Sequence, residues 1–162
     1  MSRAFVKEDR PDTEPLPDLP ISPHPNFVTA RGLASLQARL AAAQAELARL
    51  KARAERLDLM PEKAAERDIR YLTARLASAI LTETPDVSAV AFGHAVTVAD
   101  EDGAETTWEI VGEDEADATL NRITPQSPLA RALIGAEVGD SVIWRRPNGT
   151  SELEIVAIGP VR

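Results

Sequence analysis

Apolar residues recur at Leu33, Leu36, Leu40, Ala43, Leu47, Leu50, Ala54 and Leu57. The steps alternate three and four without a break, which is the a/d seam of a coiled coil and predicts one long helix. Thr29 sits just ahead of it, with a hydroxyl suited to capping the first free amides. The pattern stops at Asp58-Leu59-Met60-Pro61, where Pro61 suits the first turn of a new helix. A second seam runs through Ala65, Ile69, Leu72, Leu76 and Ala79 and ends before Pro85. Two such seams joined by a short turn predict an antiparallel helical hairpin.

Beyond Pro85 the period changes to two. Val96 and Val98, then Thr106, Trp108 and Ile110, alternate as strand residues do, with Asp102-Gly103 between them as a hairpin turn. Val142 and Trp144 face a run containing Leu153, Ile155 and Ile158 across a second turn at Asn148-Gly149. Between the two hairpins, Ser127-Pro128 opens a short helix that Gly135 can close. The pattern is that of an α+β chain with three zones: a proline-rich arm over 1–26, a coiled-coil hairpin over 27–84, and a small sheet domain with one helix over 85–162. The arm holds Pro11, Pro15, Pro17, Pro20, Pro23 and Pro25, six of the twelve prolines, and is expected to be extended and mobile. A short linear motif for a partner is the second reading of that arm.

Composition narrows the chemistry. Aromatics are 4% of the 162 residues, so the cores must be built from Leu, Ile, Val and Ala. With no cysteine there is neither a disulfide framework nor a thiolate site, which fits a reducing cytoplasm. His24 and His94 form no ligand cluster. The start of the chain lacks the apolar stretch of a signal peptide, and no run reaches membrane-spanning length; the expectation is a cytoplasmic protein. A net charge of −8 argues against a broad phosphate-gripping surface and favours a protein partner or one local basic strip. Arg49, Lys51, Arg53 and Arg56 make such a strip at the end of the first helix. Solvated flanks of a coiled coil, paired with Glu46 and Glu55, would produce the same run.

The stretch from Val111 to Asp140 (VGEDEADATLNRITPQSPLARALIGAEVGD) is similar to the matching part of the bacterial transcript-cleavage factors GreA and GreB. There a strand ends in Val-Gly, an acidic loop follows, and Ser-Pro opens a helix ending near Ile-Gly. Arg70–Leu76 resembles the second hairpin arm of that family and Phe27–Leu33 the start of the first. Several motifs in the right order are more specific than any one alone. The resemblance implies an FKBP-like sheet domain that binds bacterial RNA polymerase at the mouth of its secondary channel, through Gln126, Ser127 and Pro128. It implies a hairpin inside the channel, with two tip acids that help hold the polymerase magnesium near the RNA 3′ end. The factor would be a monomer with no active site or cofactor of its own, the basic strip facing RNA or the channel wall.

At the tip the sequence departs from the family pattern. Asp58-Leu59-Met60-Pro61-Glu62 keeps Asp58, but Pro61 stands where the second acid belongs, and Glu62 could substitute only in a rearranged turn. Matching Thr29 and Arg70 to their counterparts leaves roughly fifteen residues missing, which retracts the tip by about 11 Å at ~1.5 Å per residue. Asp58 and Glu62 therefore have two readings: metal-assisting carboxylates, or acids that favour a helix N-terminus. Gln126 replaces the Asp that often precedes the Ser-Pro. The acidic run Glu113-Asp114-Glu115-Asp117 lacks EF-hand spacing and is expected to be a solvated loop. Three functions follow: a cleavage-stimulating elongation factor, a cleavage-incompetent regulator occupying the channel, or a plain coiled-coil module dimerising through its leucine seam.

Overall fold

The computed structural model describes residues 14–162; Pro11 and the rest of the arm before Glu14 lie outside the described residues. The chain lays down β1 (Phe27–Val28), α1 (Ala30–Lys51), α2 (Met60–Ser78) and β2 (Ile80–Leu81). It continues with β3 (His94–Ala99), β4 (Glu105–Ile110), a 3-10 turn (Ala118–Leu120) and β5 (Arg122–Ile123). Last come α3 (Pro128–Leu133), β6 (Ser141–Arg146) and β7 (Gly149–Pro160).

The two seams meet as their spacing requires. Val28, Leu36 and Leu72 are buried together, with Leu33, Leu40, Ala43, Leu76 and Ala79 packed around them. Thr29 caps α1 by accepting the Gly32 N–H at 2.9 Å. Leu36 is 1% exposed. Leu36→Ala should therefore lower stability by about 2–5 kcal/mol, the usual result of emptying a packed leucine site. Chemical denaturation followed through the helical signal measures it; a change below about 1 kcal/mol would mean that the seam is not the hairpin's core.

α1 stops at Lys51, so Ala54 and Leu57, which fit the heptad spacing, do not extend the seam. Leu57 is 93% exposed. The cause is Arg53, which folds back on the helix end: its N–H and its Nε both bond the Leu50 carbonyl, at 3.3 and 3.0 Å. A guanidinium at a helix C-terminus satisfies a free carbonyl and suits the dipole. Residues 52–59 form the connecting loop.

At the opposite end, β1 and β2 pair in parallel, Phe27 beside Ile80 and Val28 beside Leu81, so the chain enters and leaves the hairpin side by side. The sequence pattern did not signal this ribbon. The arm also differs from expectation: residues 14–26 carry no regular secondary structure, yet they lie against the hairpin. Asn26 is buried and donates to the Arg75 carbonyl at 2.8 Å.

The second half is a five-stranded sheet in the order β5-β4-β3-β7-β6. All pairings are antiparallel except β4 with β5, which is parallel; the expected all-antiparallel sheet is thus mixed at its edge. The first turn includes Asp102-Gly103 as the sequence predicts; the second falls at Pro147-Asn148, one residue before the expected pair, with Gly149 already in β7 opposite Arg146, and Val142 stands opposite Leu153. Helix α3 covers the core with Leu129, Ala130 and Leu133 against Val96, Val98, Ile110, Leu153 and Ile155. His94 is fully buried and structural: its Nδ1 accepts the Ala91 N–H, and its Nε2 lies 2.9 Å from the Thr84 carbonyl. The architecture is α+β. No helix among the described residues is long and apolar enough to cross a membrane.

Candidate functional site

Asp58 and Glu62 do not stand together as a free pair of carboxylates. The exposed Asp58 side chain bonds back to its own loop, Oδ1 accepting the Met60 N–H at 2.9 Å beside the start of α2. Glu62 is 4% exposed and faces Arg56, which grips both of its oxygens; Arg56 Nε donates to Glu62 Oε1 at 2.8 Å. Arg53 approaches the same carboxylate at 3.5 Å. The hydrogen bonds from Arg56 hold the Glu62 carboxyl below its usual range. A carboxylate so paired has little remaining negative potential for a metal ion. Among the described residues, no group of three or more His, Asp or Glu is placed to hold a metal.

The basic strip is equally engaged. Arg49 pairs with Glu46 at 2.6 Å and Lys51 with Glu66 at 3.1 Å, while Arg53 and Arg56 serve Glu62. Arg53 also donates to the Asp58 carbonyl at 3.2 Å. The geometry brings Arg53, Arg56, Asp58 and Glu62 into one cluster that organises the turn, and leaves Arg49 and Lys51 on the solvated flanks of the arms.

At the far end of the molecule, Ser127 caps α3 by accepting the Ala130 N–H at 3.2 Å, and Pro128 occupies the first helical turn. Next to them the Gln126 Oε1 is buried and lacks a hydrogen-bond partner.

In the acidic run Asp117 is exposed, as expected of a solvated loop, and caps the 3-10 turn through Thr119, but Glu113, Asp114 and Glu115 are not solvated loop acids. Asp114 Oδ2 accepts from Arg75 Nε at 2.6 Å and Asp114 Oδ1 from the Tyr71 hydroxyl at 2.5 Å. Glu113 accepts from Ser22 at 2.8 Å and lies 3.4 Å from Arg75. Glu115 accepts from Thr29 at 2.6 Å and Arg31 at 2.5 Å, and Arg31 also reaches Glu109 and the Arg162 carbonyl. Burial pushes the Glu109 carboxyl upward, but hydrogen bonds from Arg31 and Arg122 outweigh it and leave it below its usual range. These residues clasp the hairpin base to the sheet domain. Two glycines make room for the clasp. A Cβ on Gly32 would stand 2.6 Å from Glu115 Oε2, and one on Gly112 would stand 2.5 Å from the Phe27 carbonyl.

Tyr71, the single tyrosine of the chain, reports on the clasp. Burial and then the bond to Asp114 push its phenol up from the ordinary 10.0 to about 12. The neutral phenol is the form held in the fold. Its contribution is fully present below the unfolded-state value and is lost as pH rises through about 12. Phenolate absorbance should titrate late in the native protein and earlier in Asp114→Asn; identical curves would remove the hydrogen bond as a cause.

These features define a class: a helical hairpin carried on a small α+β domain and fixed to it by a polar clasp. Residues 84–160 match the family model for "Transcription elongation factor, GreA/GreB, C-term". GreA of Thioalkalivibrio sulfidiphilus is 42% identical over 97 residues, covering 57% of this chain and 61% of the relative. GreB of Neisseria meningitidis serogroup B is 42% identical over 97 residues, with 57% and 59% coverage. The crystal structure of GreA factor homolog 1 (Gfh1) of Thermus thermophilus aligns with 84% of this chain and 99% of its own, at 25% identity and a TM-score of 0.41. The likeness to the GreA/GreB family lies in the sheet domain, residues 84–160. It spans about three fifths of the length of the curated relatives it matches.

Proposed function

We propose that this protein binds bacterial RNA polymerase at its secondary channel and regulates transcription elongation there as a monomer, without strong stimulation of transcript cleavage. The family of the sheet domain supports the partner. The observation that carries the choice between the two polymerase functions is Glu62: both of its oxygens are held by Arg56, with Arg53 alongside. Asp58, the tip acid in family register, is engaged with its own loop. Inside the channel the shortened tip would present no pair of free carboxylates to the RNA 3′ end or the polymerase magnesium. Regulation in this reading comes from occupancy of the channel, and the protein has no catalytic centre of its own. A coiled-coil module dimerising through its leucine seam is less well supported, because Leu36 and Leu72 are already buried within one chain.

Docking is assigned to Gln126, Ser127 and Pro128, which lead into α3 of the sheet domain. Ser127→Glu, which places a charge at the helix cap, is expected to weaken capture of bacterial RNA polymerase at least tenfold, a loss of about 1.4 kcal/mol. Pro128→Ala should weaken it less. Thermal unfolding serves as the control, since losing the cap alone removes about 1 kcal/mol of stability. Unchanged capture by two folded variants would move the docking site elsewhere.

A further inference from the structure

The proline-rich segment ahead of β1 has no part in the function argued so far, yet it follows one flank of the hairpin. Leu19 lines one shallow cavity with Arg39, Ala43, Tyr71 and Leu72, and Pro15 lines another with Arg56 and Glu62 near the turn. The grip on this segment is uneven. At its base Asn26 is buried, bonding Arg75 and Ser78, and Ser22 bonds Glu113 at 2.8 Å. Further out it is held by an Arg70–Asp18 pair at 2.6 Å and by Arg70 donating to the Leu16 carbonyl at 2.8 Å. The Asp18 side chain is 76% exposed, and Leu16 and Leu19 are only half-buried. An exposed ion pair of this kind contributes little. Pro15, Pro17 and Pro20 keep the free segment extended, so less chain entropy is lost each time it returns.

We propose that residues 14–20 are a releasable strap, hinged at Ser22–Asn26, which covers one flank of the hairpin and competes with the polymerase channel for it. The inference rests on the polymerase reading above. A channel that closes around two helices leaves no room for a third segment along their side, so the strap must lift before full insertion. Binding is then reduced by the fraction of molecules whose strap is closed.

The absence of cysteine allows site-specific labels on the full chain. Spin labels at Pro17→Cys and Thr73→Cys should give one short distance in the free protein. A broad, longer distribution is expected in Asp18→Lys, and also in the parent chain once polymerase is added. Asp18→Lys and Arg70→Glu should each bind polymerase about two- to fivefold more tightly, the size of effect one exposed pair can have on the closed fraction. The double variant, with the charges exchanged, should return part of the way to the parent affinity, since a carboxylate at position 70 cannot donate to the Leu16 carbonyl. A short distance that persists on polymerase, or binding that is unchanged or weaker in both single variants, overturns the strap while the polymerase reading stands. Failure of every chain to bind, including one lacking residues 1–20, overturns the polymerase reading and the competition with it.

Discussion

Arg75→Met should lower the stability of the protein by about 3–5 kcal/mol, more than any other single change in the clasp. The guanidinium is almost fully buried and bonds Asp114, Asn26 and Glu113 at once. Removing it leaves the Asp114 charge, whose side chain is 9% exposed, without its guanidinium partner. It also strips the Asn26 side-chain oxygen, Oδ1, of a donor at 2.7 Å. The loss comes mainly from groups left unpaired, so Arg75→Met combined with Asp114→Leu should recover most of it. Urea denaturation of the parent, both single variants and the double variant measures this. A loss below about 1 kcal/mol in Arg75→Met would show that water enters and replaces the guanidinium, and that the clasp is a surface feature.

The second large effect concerns cleavage. Added to a defined backtracked elongation complex at fixed magnesium, the unmodified protein should leave the RNA cleavage rate within about twofold of polymerase alone, because metal-assisted hydrolysis requires oxygen ligands at near-contact distance. It should still compete with an authentic cleavage factor for the polymerase. Pro61→Glu alone should not restore cleavage, since the arms remain short. With one heptad added to each arm, which advances the tip by ~10 Å, Pro61→Glu should restore it at least in part. Strong cleavage by the unmodified protein that disappears in Asp58→Asn would overturn the regulatory reading and make this a cleavage factor.

The hairpin was legible because its seam is periodic and local: Leu36 and Leu72 each declare their face through neighbours three and four positions away. The strand pairs were legible through Asp102-Gly103 and Asn148-Gly149. The end of α1 was not, since Ala54 and Leu57 satisfy the spacing as well as Leu50 does. What decides is whether α2 offers them a partner, and Arg53 closes the helix before they could meet one. The acidic run misled for a related reason. Glu113, Asp114 and Glu115 look like loop acids until Ser22, Thr29, Arg31, Tyr71 and Arg75 arrive from far along the chain. Gly112, directly before the run, and Gly32, far away in the first turn of α1, make the close approach possible, but neither names its partner in the sequence. At the tip, Asp58 and Glu62 could be ranked as candidates, while their engagement with Met60 and Arg56 depended on a turn that no periodicity describes.

The paired strands at the hairpin base also have a mechanical consequence. The 22 residues of α1 form a rod ~33 Å long, so a tilt of about 10° where β1 meets β2 swings the far end through roughly 6 Å. The base is the short arm of a lever and the turn is the long arm. Small changes in how Arg75 and Arg31 seat on their carboxylates are therefore magnified several-fold at the turn, where any contact inside a partner would be made. Aim, as well as strength, is set at the clasp.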